Sequence, residues 1–203
     1  MLMKHYAVKL VAINIVVFIL QFVFPLITEN FALVSSEVLI KPWTLITYMF
    51  FHSTKYFPHL LYNMLALILF GSILEEMIGG ERFLKLYFAS GIIAGLGSIL
   101  FYEASIGASG AIFGIIGTLV VLRPRMKVFI GYTAIPLSLA VFLWGLSSFV
   151  GLFASQPVAY AAHLFGLCFG LLYGFTLKKK FGETHKRSFI DKEFRKWKKS
   201  VSI

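Results

Sequence analysis

The stretch VAYAAHLFGLCFGLLYGFTL, residues 158–177, decides the fold. It contains no Lys, Arg, Asp or Glu. A run of roughly 17–25 apolar residues is what a helix needs to cross ~30 Å of hydrocarbon. Gly166, Gly170 and Gly174 recur every fourth residue, so they share one helical face. Such a stripe lets helix backbones approach closely in lipid, where no hydrophobic force drives helices together. His163 lies just above the stripe. A titratable group inside an apolar span is expensive there and is a functional candidate by default.

Working outward, a second segment has the same grammar. Residues 107–114 read Gly107-Ala108-Ser109-Gly110-Ala111-Ile112-Phe113-Gly114, and the apolar run continues to Leu122. Gly110, Gly114 and Gly117 form a second stripe below Ser109. At 1.5 Å per residue the run 109–122 is only about 21 Å long, too short to cross alone. Further apolar runs lie at roughly 7–28, 59–78, 83–102 and 128–152. The first lacks the short apolar core and small-residue cleavage site of a signal peptide and is expected to stay as a helix. The expected architecture is therefore an all-α, polytopic six-helix membrane bundle over residues 1–177. Residues 29–57 form an interfacial first loop, with Trp43 and Tyr48 at headgroup level.

Composition agrees with this reading. Of 203 residues, 59% are hydrophobic and 14% charged, and the mean hydropathy is +0.84. One core cannot hide that much apolar surface, which nearly excludes a soluble enzyme. A single cysteine, Cys168, excludes a disulfide within the chain and a Cys-cluster metal site; it is expected to serve packing. No cofactor or metal is expected. The net charge of +10 is not spread as a nucleic-acid surface would need: residues 178–203 hold ten Lys/Arg against three Asp/Glu. This tail, with Ile190, Phe194, Trp197 and Val201 at helical spacing, is expected to be a basic amphipathic helix on anionic lipid at the cytoplasmic face. Lys4, Lys9, Arg82, Lys85, Arg123, Arg125 and Lys127 cluster on the same side of the span order. The loops 103–108 and 153–158 carry only Glu103. The positive-inside rule then puts both termini in the cytoplasm.

With that topology three polar groups fall at one depth near the extracytoplasmic surface. They are His59 and Asn63, four residues apart on one helical face, then Ser109, then His163. If the two glycine stripes pack together, the Ser109 hydroxyl meets the His163 imidazole. That pair suffices for nucleophilic catalysis, since the imidazole takes the hydroxyl proton as the oxygen attacks a carbonyl. Ser109 also opens a helix, where free backbone N–H groups and the dipole favour a developing oxyanion. His59 and Asn63 add side-chain donors. No carboxylate lies at this level apart from Glu103 in the adjoining loop, so a Ser-His dyad fits better than a triad. His52 could line the mouth of the site but is expected in the wet part of the loop, with no role assigned. Glu75, Glu76 and Arg82 are expected to be structural on the cytoplasmic side.

These residues resemble a rhomboid intramembrane serine protease. The resemblance rests on Gly107-x-Ser109-Gly110, on Ala162-His163-x-x-Gly166-x-x-x-Gly170 and on His59-x-x-x-Asn63, in that order on three spans. Glu75-x-x-x-Gly79, Arg82 and the aromatic first loop match as well. It covers about residues 7–177 and implies the minimal six-helix bacterial or archaeal form. By resemblance Ser109 is the nucleophile and His163 the general base, while His59, Asn63 and the Ser109 N–H form the oxyanion hole. Gly107, Gly110, Phe113, Gly114, Gly166 and Gly170 would pack around them. The family's first-loop Trp-Arg pair stands here as Trp43-Thr44. The position four after the serine, often Tyr in bacterial members, is Phe113, which keeps a ring to stack on His163. The implied activity is hydrolysis of peptide bonds in or near transmembrane segments of membrane-protein substrates, in the membrane of a prokaryotic cell. A non-catalytic holder of client helices is the alternative; loss of Ser109 or His163 would mark it, and both are present. A transporter would show buried charge along a path across the bilayer, whereas these polar groups stop at one depth.

Overall fold

Six main helices carry the chain in the computed structural model, which describes residues 5–154 and 158–179. They are α1 (Tyr6–Val23), α2 (Pro58–Ile78), α3 (Gly80–Ser98), α4 (Ser109–Leu122), α5 (Leu137–Gly151) and α6 (Tyr160–Lys179). Helices α1, α2 and α6 are long and apolar enough to cross a membrane; α4 and α5 are apolar but shorter. The architecture is a polytopic membrane bundle. The expected amphipathic tail lies outside the described residues.

The short helix α4 is the axis of the bundle. Its residues from Gly114 to Val121 are all buried, as are Gly110, Ala111 and Ile112. An apolar helix with no polar face belongs in a core, and here the other helices supply the walls. The outer helices turn large apolar side chains outward, including Val16 and Ile19 on α1 and Phe142 and Phe149 on α5.

Glycine sets the closest contact. A Cβ added at Gly166 would overlap the Gly110 carbonyl oxygen, and one at Gly170 the Gly114 carbonyl oxygen. One added at Gly117 would stand 2.6 Å from the Leu167 carbonyl oxygen. The two stripes thus pack backbone to backbone. The Thr118 hydroxyl lies 3.0 Å from both the Gly114 and the Gly170 carbonyl oxygens, tying the seam with a polar contact in its interior.

Two other devices fix the frame. The Glu75 carboxylate, 4% exposed, accepts the Tyr6 and Ala7 N–H groups, each at 2.9 Å. A side chain of α2 therefore caps the free N-terminal amides of α1, where negative charge is favoured. Helices α2 and α3 are separated by Gly79 alone, whose φ of 85° lies where glycine is favoured.

The first loop is ordered structure. It contains short helical segments at Ile27–Phe31 and Thr44–Thr47, and a strand β1 (Leu33–Val34). That strand pairs antiparallel with β2 (Ala104–Ser105), just before α4. Tyr48 turns into the protein instead of outward: it is 2% exposed and its hydroxyl donates to the Gly91 carbonyl at 2.7 Å. Trp43 stays half exposed, with its indole N–H on the Asn30 carbonyl.

Three expected spans have different bounds. The first ends at Val23, before Phe24-Pro25, because a residue preceding proline is pushed out of the helical region. The third is shifted to Gly80–Ser98. The fifth begins only at Leu137. Residues ahead of it form a hairpin of β3 (Lys127–Ile130) and β4 (Thr133–Pro136). Its turn contains Gly131, with φ 59°.

Gly170→Val should cost about 3 kcal/mol of stability or block assembly, since the added methyls meet backbone that no rotamer change can move. Thermal unfolding in detergent measures it. An unchanged midpoint would show that α4 and α6 do not meet along this seam.

Candidate active site

Ser109 stands at the first position of α4. The chain approaches it through Gly107, whose φ of +120° a side chain would strain, and whose N–H is held by the Tyr48 carbonyl at 2.9 Å. The buried ring of Tyr48 therefore anchors the residue two places before the serine.

His163 comes from the first turn of α6, directly above the glycine seam. Its Nε2 lies 2.9 Å from Ser109 Oγ. Phe113, one turn below Ser109, stacks on the imidazole at 4.4 Å between centroids and 8° between planes. Tyr160 meets the same ring edge-on at 6.0 Å and 84°. The ring is thus held on two sides in the orientation that points Nε2 at the hydroxyl. Among the described residues no carboxylate hydrogen-bonds to it. Ser109 and His163 are both partly exposed, so the pair is open at one end.

His59 lies in the first turn of α2. Its Nε2 would be 2.7 Å from a Cβ at Gly107, so the glycine leaves room for an imidazole beside the Ser109 turn. Its Nδ1 accepts the Ser53 N–H at 3.3 Å. Asn63 lies one turn further in, 6% exposed, and spends one amide hydrogen on the His59 carbonyl at 2.6 Å. Its Oδ1 has no partner, which leaves the second amide hydrogen and this oxygen for another group. Side-chain contact is thus direct between Ser109 and His163, and His59 reaches the loop that presents Ser109.

His52 does not sit in a wet loop. It is fully buried, with its ring 5.1 Å from that of His59. Neither ring nitrogen makes a hydrogen bond of normal geometry. Burial, then the neighbouring His59, push its pKa down to about 3, and the Phe50 carbonyl offsets only part of this. It is neutral at physiological pH. Cys168 does not pack either: it is exposed on α6.

Tyr48 and Gln21 brace the loops around the site and lie outside the expected set of residues. Gln21 is 3% exposed and hydrogen-bonds to the His52 backbone. An amide inside an apolar span is a signal of the same kind as His163. The burial of Tyr48 has no such signal, because aromatic residues crowd the loop.

The His52 pKa has a consequence for stability. An unfolded histidine titrates near ~6.5, so between about pH 6.5 and 3 the unfolded chain takes up a proton that the folded chain refuses. This contribution is complete above about pH 6.5 and is lost as pH falls. His52→Phe should flatten the fall in thermal midpoint between neutral and mildly acid pH, and should hold or raise the midpoint at pH 7 by removing two unpartnered buried nitrogens. An unchanged acid slope would show that His52 is not buried neutral.

A family model described as the Rhomboid domain matches residues 40–180. The chain is 36% identical over 143 residues to the rhomboid-family protein YdcA of Bacillus subtilis, covering 68% of each chain. It is 35% identical over 140 residues to the mitochondrial Rhomboid protein 1 of Saccharomyces cerevisiae, covering 63% of this chain and 40% of that one. Over 78 residues it is 44% identical to the rhomboid protease GluP of Bacillus subtilis, a match to 38% of this chain and 15% of that longer one. The glycine-packed bundle, the serine at a helix start and the histidine above the seam thus sit in a chain that belongs to the rhomboid family.

Proposed function

We propose that this protein is an intramembrane serine endopeptidase working through a Ser109–His163 dyad. The observation that carries the reading is the 2.9 Å contact between Ser109 Oγ and His163 Nε2 at the open end of a buried short helix. In the acylation step His163 Nε2 takes the hydroxyl proton while Ser109 Oγ bonds to the scissile carbonyl carbon. The oxyanion is received by the Ser109 N–H at the start of α4, by His59 Nε2–H and by the Asn63 amide. His163 then gives its proton to the leaving amine, the C–N bond breaks, and an acyl-serine remains. A water molecule, deprotonated by the same imidazole, releases the acid and restores the hydroxyl. Atoms balance with water as the only co-reactant.

The substrates are transmembrane segments. A helical substrate hides its carbonyls in hydrogen bonds, so a segment with helix-breaking residues near the scissile bond is favoured. Both termini face the cytoplasm and the dyad opens toward the other side of a prokaryotic cell membrane, a topology supported by the Lys/Arg asymmetry.

A phosphonate or isocoumarin probe should label Ser109 in the purified protein, and Ser109→Ala should abolish both labelling and cleavage of a model transmembrane substrate. His163→Ala should reduce both by orders of magnitude. Cleavage that survives Ser109→Ala points to another nucleophile. A wild-type protein that neither labels nor cleaves is a holder of client helices. His59→Ala and Asn63→Ala should each lower kcat by up to about 10²-fold, less than a lone oxyanion donor because others remain. Full activity in both would put the oxyanion elsewhere.

A further inference from the structure

We infer that Gln21, on the first helix and away from the reacting atoms, is a positioning residue that sets the tautomer of His59. The inference rests on the proposed oxyanion role of His59. To donate to an oxyanion near Gly107 and Ser109, the neutral imidazole must carry its proton on Nε2, since a neutral ring has one donor and one acceptor nitrogen. Which nitrogen holds the proton is decided by the partner of the other one. Here that partner is the Ser53 N–H, 3.3 Å from Nδ1. An N–H only donates, so Nδ1 is the acceptor and the proton belongs on Nε2.

What holds the Ser53 N–H in place is the other end of its own peptide group. The carbonyl of that group is the His52 carbonyl, which accepts from Gln21 Nε2 at 2.9 Å. A peptide group is planar and trans, so its C=O and N–H point in opposite directions. Anchoring the oxygen on α1 turns the hydrogen toward His59. Gln21 Oε1 also accepts the His52 N–H at 3.1 Å, and Gln21 Nε2 bonds to Thr28 Oγ1 at 3.0 Å. Flipping the amide would set donor against donor at the His52 N–H and acceptor against acceptor at the His52 carbonyl, so its orientation is determined. Two consecutive peptide groups are thus clamped by one side chain. The His52 ring, fully buried against His59, closes the space through which the imidazole would tilt.

The test uses the full chain in lipid, with nitrogen-15 histidine NMR to read the His59 tautomer and steady-state kinetics on one transmembrane substrate. In the wild type His59 should be protonated on Nε2. Gln21→Leu should give a tautomer mixture and lower kcat about tenfold, short of the loss expected for a whole donor, with KM little changed. In a His59→Ala background Gln21→Leu should lower kcat no further, whereas a purely structural role for Gln21 would lower it again. Thr28→Val, which removes only the outer partner of the Gln21 amide, should shift tautomer and kcat the same way by less, and serves if Gln21→Leu does not fold. An unmoved tautomer in these variants, or equal kcat losses with and without His59, overturns the inference. Absence of turnover in the wild type would sink the protease reading, while the tautomer measurement still judges Gln21.

Discussion

The seam between α4 and α6 is the contact on which everything else depends. In lipid, apolar side chains gain nothing by leaving one hydrocarbon for another, so helices associate where packing is closest. The approach of Gly166 and Gly170 to the Gly110 and Gly114 carbonyls is such a place. It also sets the contact between Ser109 and His163. Ser109 begins one helix one residue before Gly110, and His163 sits three residues before Gly166 on the other. Once the glycines are in contact, the two side chains have little freedom but to meet. The stacking of Phe113 on the imidazole then removes the remaining rotation.

Around this seam the rest of the chain acts as bracing. Glu75 joins the start of α1 to α2, Tyr48 joins the first loop to α3 and to Gly107, and β1–β2 joins that loop to the approach to Ser109. The Tyr6 and Ala7 N–H groups, the Gly107 N–H and the β1–β2 backbone would otherwise lie unpaired in an apolar setting, at a cost that binds these segments firmly. The loop that looks like a connector by length is thereby part of the core.

The elements written as local patterns were legible in the sequence. The bounds of α4 follow from its charge-free run, the seam from fourfold glycine spacing, and the Ser109–His163 contact from polar residues that interrupt apolar helices. What escaped were contacts between distant segments. Tyr48 and Gly91 are 43 residues apart, Glu75 and Ala7 are 68 apart, and no local pattern announces either. The hairpin at 127–136 cannot be told from the start of a span by composition, because a short apolar run looks the same in a strand and in a helix. Gly131 and Pro136 were the signals against it. Gln21 escapes for a different reason: the high average hydropathy of α1 masks an amide that by itself meets the rule applied to His163.

Helix α5 has 15 residues and presents Phe142, Leu146, Phe149 and Val150 outward. Its rise of about 22 Å falls well short of an ~30 Å hydrocarbon layer. Unlike α4, it is not shielded by protein on all sides, so the hydrophobic mismatch falls on the lipids themselves. The acyl chains beside α5 have to compress or tilt to keep its ends in water, at a fraction of a kcal/mol per Å. A flank of this kind favours short acyl chains over long ones, because short chains meet a helix of that length with less distortion.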